Sequence, residues 1–166
     1  HNGYNVKDRL ELNSNQITHE NIWGVADEDL YAMALREFDE TSQKGKPFFA
    51  HIMTTSNHRP YTFPENRIDL PTGSRQAAVK YTDWAIGHFI KQASEHSWYK
   101  DTVFVIVADH CSSSAGKTDL PAERYHIPLI VWSPAHIPAQ KVDRLMSQID
   151  VAPTLLGLLN FSYKSN

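Results

Sequence analysis

Two places in the sequence set residues with metal or anion chemistry side by side. Asp109 and His110 close the run Thr102-Val-Phe-Val-Ile-Val-Ala-Asp-His110. His58 and Arg59 follow the run Lys46-Pro-Phe-Phe-Ala-His-Ile-Met-Thr-Thr-Ser56. A carboxylate offers a hard oxygen and a neutral imidazole a nitrogen, so Asp109 with His110 suits a divalent cation. An Asp at a strand end also caps the next turn, and the pair admits that reading as well. His58, Arg59 and Lys117 are cationic or hydrogen-bonding groups that could meet an anionic oxygen. Together with a metal they could neutralise charge developing on a phosphoryl or sulfuryl group. His58 also reads as a cap of its own strand end, and Lys117 as a solvated surface residue.

The elements that must position these groups follow from periodicity. Val103–Val107 is a continuous apolar run, which reads as a strand buried on both faces, as in a parallel sheet covered by helices. The runs at 47–56 and 127–132 read as further strands, the last closed by Pro134. Leu30, Met33, Ala34 and Phe38 recur at three- and four-residue spacing and predict a helix over about 27–44. Its acidic start, Asp27-Glu-Asp29, suits the positive end of a helix, and Asp27 or a neighbour can cap it. Ala78, Tyr81, Ala85 and Phe89 predict a second helix over about 74–96. A third is expected over 151–159, with Asp150 as N-cap and Pro153 in its first turn. Short strands are expected at Tyr4–Arg9 and Val142–Met146. Strands alternating with helices argue for α/β architecture, a mainly parallel sheet flanked by helices, in a single domain over 1–166. Strands 47–56, 102–109 and 127–132 are expected to be adjacent in that sheet, so that their carboxyl ends gather His58, Asp109 and His110 at one edge.

Composition narrows the function. The chain of 166 residues can bury a substantial core. A net charge of -3 with scattered Lys and Arg carries no footprint for nucleic acid. No apolar run has the length of a membrane span. The opening His1-Asn-Gly-Tyr4 has neither an initiator Met nor a leader and reads as an internal start. Cys111 is the one cysteine, which excludes an internal disulfide. It reads as a thiol packed at a strand end, with a nucleophile as the alternative.

Six segments in order carry a family resemblance: Trp23-Gly-Val-Ala-Asp-Glu-Asp29, Pro47-Phe-Phe-Ala50, Ser56-Asn-His-Arg-Pro-Tyr61, Val105-Ile-Val-Ala-Asp-His110, His126-Ile-Pro-Leu-Ile130 and Gln148-Ile-Asp-Val-Ala-Pro-Thr-Leu-Leu156. Together they resemble the sulfatase-type branch of the alkaline phosphatase superfamily. Within it, they are most similar to bacterial membrane enzymes such as lipoteichoic acid synthase and phosphoglycerol transferases. The resemblance implies an alkaline-phosphatase-like fold, here truncated to the carboxyl-terminal half of a catalytic domain. It implies that Asp109 and His110 are metal ligands, for Mn²⁺ first and for Mg²⁺, Zn²⁺ or Ca²⁺ as alternatives. It implies that His58 contacts the substrate phosphate. His126 precedes its strand and reads as structural.

The nucleophile of this family, a Thr, Ser or formylglycine-forming Cys, has no counterpart in the sequence, because Cys111 is followed by Ser-Ser-Ser-Ala. The implied activity is that of a metal-dependent phosphoglycerol transferase or phosphodiester hydrolase. The implied partners are an anionic lipid head group or a phosphate or sulfate ester, and the missing amino-terminal half of the same domain. The implied place is the extracytoplasmic face of the bacterial membrane. The alternatives are a sulfate ester hydrolase and a non-catalytic lipid-binding or sensing relative.

Overall fold

In the computed structural model, residues 3–112 and 125–164 are described. Two compact units divide the chain, one ending at His136 and the other running from Ile137.

The first unit is organised by two helices, α1 (Asp27–Ser42) and α2 (Arg75–Ala93). Helix α2 forms because apolar residues recur every fourth position. Ala77, Tyr81, Ala85, Phe89 and Ala93 are all buried, along one stripe. Ser74 caps it, accepting the Ala77 N–H at 3.2 Å. Against this stripe α1 sets Tyr31 and Leu35, with Phe38 at the margin. Tyr31 stacks on Phe89 at a ring separation of 4.7 Å, and Phe63 stacks on Tyr81 at 4.6 Å and 5°. Phe63 belongs to the loop between the helices. Arg67 of the same loop grips the Glu28 carboxylate with Nε at 2.8 Å and a terminal nitrogen at 3.0 Å. The expected helices at 27–44 and 74–96 are therefore present, and their predicted apolar positions face the core.

The strands are shorter than the sequence suggests. β1 (Glu20–Asn21) and β2 (Gly24–Val25) form a small antiparallel pair. β3 (Phe104–Val107) pairs with β4 (Leu129–Trp132) in the register Phe104 to Trp132 and Val107 to Leu129. This pair is antiparallel, which corrects the expected parallel adjacency of these two runs. An apolar run reports burial of a strand and says nothing of its neighbour's direction. Residues 47–56 join no ladder among the described residues. Phe48 and Ile52 nevertheless turn inward, Phe48 against Phe38 at 5.3 Å, while Phe49 and Met53 are exposed. Phe48 and Ile52 are thus the covered positions of this stretch, and Ala50 between them is exposed.

The expected strand at 4–9 is instead irregular chain leading to a 3-10 turn at Arg9–Glu11. Asp8 caps this turn by accepting the Leu10 N–H at 2.8 Å. In the second unit, the expected strand at 142–146 is exposed chain outside any element. Helix α3 (Val151–Leu158) begins where expected, with Pro153 in its first turn. Asp150 precedes it, but its carboxylate turns back to the Ser147 N–H at 2.8 Å and closes a preliminary 3-10 turn.

Candidate functional site

Asp109 and His110 lie just beyond the carboxyl end of β3, and both are exposed. The Asp109 carboxylate accepts the His110 N–H at 2.9 Å, which turns the backbone and sets the two side chains together. His110 Nδ1 lies 2.7 Å from the Cys111 carbonyl oxygen. A carbonyl only accepts, so Nδ1 carries the proton, and in the neutral ring Nε2 carries the lone pair. That Nε2 is 3.5 Å from Asp109 Oδ2. An imidazolium there makes an ion pair; a neutral imidazole brings two electron-rich atoms face to face. Two donors each about 2.1 Å from one ion at the tetrahedral angle lie about 3.4 Å apart. The donor types and their separation therefore fit a shared divalent cation. A metal-bound His commonly donates its other nitrogen to a carbonyl, as His110 does. Among the described residues no three His, Cys, Asp or Glu side chains gather as a metal-holding group, so these two stand as a pair.

His58 sits in a tight turn, its N–H donating to the Thr55 carbonyl at 3.0 Å and its own carbonyl accepting the Tyr61 N–H at 2.8 Å. Its Nδ1 donates to the Arg59 carbonyl at 3.2 Å, which again leaves Nε2 as the acceptor of a neutral ring. The imidazole packs on the Trp23 indole at a centroid distance of 3.7 Å. His58 and Arg59 border an open depression of about 640 Å³, whose other walls are Ile22, Trp23, Pro60 and Tyr61. The surface that lines the depression is almost wholly apolar, with His58 and Arg59 at its border.

The turn is anchored from below by a residue that the sequence assigns to helix-end electrostatics. Asp27 opens α1 and is fully buried. Its Oδ1 accepts the N–H groups of Thr55 at 3.2 Å and Ser56 at 2.9 Å, and its Oδ2 accepts the Thr82 hydroxyl at 3.2 Å. Ser56 Oγ answers by accepting the Asp27 N–H at 3.1 Å. The N-cap position belongs to Ala26, with no side-chain cap, so Asp27 serves the 55–56 segment and α2 rather than its own helix end. Asp29 is likewise buried, holding Thr18 through its N–H at 2.9 Å and its hydroxyl at 2.9 Å. Burial raises the Asp29 pKa above the ordinary carboxylate value, against the lowering effect of the Thr18 bonds. Lys117 lies outside the described residues. His126 is exposed and Cys111 is half-buried.

A sequence model of the Sulfatase family matches residues 2–161. The chain belongs to the sulfatase family. Phosphoglycerol transferase I of Xanthomonas campestris pv. campestris strain B100 is 29% identical over 149 residues, covering 85% of this chain and 21% of that protein. Lipoteichoic acid synthase 2 of Bacillus subtilis is 25% identical, covering 86% of this chain and 25% of that protein. Among solved structures, a protein in the alkaline phosphatase superfamily from Vibrio parahaemolyticus superposes with a TM-score of 0.81 at 39% identity, over 87% of this chain and 36% of that one. The lipoteichoic acid synthase LtaP of Listeria monocytogenes gives 0.70 at 26% identity, over 84% and 40%. The chain thus spans about a fifth to a quarter of the curated relatives it matches. The α/β fold and the expected kinship with phosphoglycerol transferases and lipoteichoic acid synthases both stand on these matches.

Proposed function

We propose that residues 1–166 are the carboxyl-terminal part of a sulfatase-like catalytic domain that transfers or hydrolyses a phosphoglycerol or related phosphate ester. Asp109 and His110 would hold a divalent cation, with Mn²⁺ the expected ion. The observation that carries the reading is the convergence of His110 Nε2 and Asp109 Oδ2 at 3.5 Å, with Nδ1 tied to the Cys111 carbonyl. Such an ion supplies positive charge to a phosphoryl oxygen. His58 and Arg59, with Lys117, contact the anionic group, and the apolar wall of Ile22, Trp23 and Tyr61 receives the less polar part of the substrate. We place the attacking hydroxyl in the amino-terminal part of the domain, because the nucleophile motif that the family resemblance implies has no counterpart in this sequence. The names of the relatives favour a phosphate ester over a sulfate ester. We place the parent at the membrane, acting at the extracytoplasmic face on an anionic lipid head group. Among the described residues no helix is long and apolar enough to cross a membrane.

The test is turnover of a chromogenic phosphodiester with Mn²⁺ by the full-length protein. Asp109→Ala and His110→Ala should abolish it, and His58→Ala should lower it by about 10²-fold with the fold intact. A full-length protein that is active and indifferent to Asp109→Ala would overturn the assignment.

A further inference from the structure

Of the segment Trp23-Gly-Val-Ala-Asp27 only Trp23 lines the depression, yet the segment's contacts converge on the turn that carries His58. Asp27 takes the N–H groups of Thr55 and Ser56, three and two residues before His58. Trp23 covers one face of the His58 ring at 3.7 Å. The backbone between them passes against Thr55, where Gly24 has φ +146°, a conformation that a side chain strains. A Cβ on Gly24 would meet Thr55 Oγ1 at 3.6 Å, an ordinary contact, so it is the backbone conformation that requires glycine. Asn21 completes the frame, accepting the Trp23 N–H at 2.8 Å and donating to Thr62 Oγ1 at 3.1 Å beyond the turn.

We infer that Trp23 and Asp27 form a two-armed brace that positions His58, Asp27 fixing the backbone of its turn and Trp23 the plane of its ring. The inference rests on the reading of His58 as a phosphate contact and adds how that side chain is held. Three observations favour a brace over simple packing. Asp27 is a carboxylic side chain at 0% exposure, and its donors include both N–H groups leading into the turn. Burying a carboxylate where an apolar residue could pack is costly unless it orders something specific. Trp23, in contrast, is 49% exposed, so burial of its own surface does not account for its position. Finally, His58 Nδ1 is held by the Arg59 carbonyl while Trp23 holds the ring face, which leaves Nε2 as the atom presented to a ligand. Preorganisation of this kind is what a phosphate-contacting group needs, since a displacement of about 1 Å can cost on the order of 10²-fold in rate.

The experiment reads the His58 ring protons by NMR in the whole chain, with His88 as an internal reference. His88 stacks on Trp84 at 5.1 Å and 7°, away from the brace. In Trp23→Leu the His58 ring protons should lose their indole-induced upfield shift while those of His88 stay in place. Asp27→Asn keeps the acceptor oxygen and should leave both rings unmoved. Asp27→Ala should displace His58 alone; if that variant does not fold, Ser56→Ala, which removes the reciprocal bond, should displace His58 by less. Inorganic phosphate is then titrated against each protein, and Trp23→Leu should weaken the phosphate response of His58 by about tenfold. Unmoved His58 protons in folded Trp23→Leu, or equal displacement of His58 and His88, would overturn the brace. A ring shift lost in Trp23→Leu, with no phosphate response in the unaltered protein, upholds the brace and removes the phosphate role instead.

Discussion

Replacing Asp27 by Ala tests whether the buried knot at the start of α1 contributes to stability. The substitution strips the acceptor from two backbone N–H groups and one hydroxyl. Thr82 can turn its hydroxyl elsewhere, but the N–H groups cannot move. Ser56 is buried and Thr55 half-buried, so one donor bears the full desolvation cost and the other a part of it. At about 1–3 kcal/mol for each orphaned group, the expected loss is about 3 kcal/mol. Release of the buried carboxylate offsets little of this, because its charge is already compensated by three donors. For a chain of 166 residues, that loss lowers the melting temperature by roughly 6–12 °C. Asp27→Asn keeps Oδ1 for both N–H groups, and its amide can donate to Thr82 Oγ1, so the loss there should be about 1 kcal/mol. Denaturant unfolding followed by tryptophan fluorescence measures both, provided the slope with denaturant is unchanged. Equal losses for Asn and Ala would show that charge, rather than acceptor geometry, matters. A loss under about 0.5 kcal/mol for Ala would show that the knot carries no stability.

Phe63→Ala should cost about 3–5 kcal/mol, because Phe63 is 2% exposed and stacked on Tyr81 in the core; the same unfolding measurement checks it. Asp29 gives a pH dependence of defined sign. Its pKa is raised in the folded state, so below the unfolded value both states are protonated and the full stability is present. As pH rises from the unfolded value through the raised one, the folded state holds the extra proton, and stability declines. Unfolding free energies of the unaltered protein and of Asp29→Asn, measured from pH 3 to 7, should converge on the acid side and separate in that window, with the variant flatter.

The helical half of the fold was legible because helix burial has a local period. Ala77, Tyr81, Ala85 and Phe89 announce one face of α2 within a dozen residues, and all four are buried. The pairing of β3 with β4 was not legible in direction, since both parallel and antiparallel neighbours are compatible with Val103–Val107. The run 47–56, expected as a strand, joins no ladder among the described residues; its inward Phe48 and Ile52 specify a face and not a partner. The positions of Asp109 and His110 at a strand end followed from the point where the apolar run stops. Asp27 was misread because three acidic residues in a first turn look like compensation of the helix dipole. Its donors come from Thr55, Ser56 and Thr82, and bonds over 28 to 55 residues leave no local pattern. The tilted contact of Trp23 with His58 escaped for the same reason.

The most direct test of the account is Mn²⁺ titration of the chain, read as paramagnetic broadening of its NMR signals. Two protein donors leave most of the coordination to water, so weak binding is expected, with Kd on the order of 1 mM. The account predicts that broadening centres on Asp109 and His110 and disappears in Asp109→Ala. Broadening spread evenly over the acidic surface, or unchanged in Asp109→Ala, would contradict it.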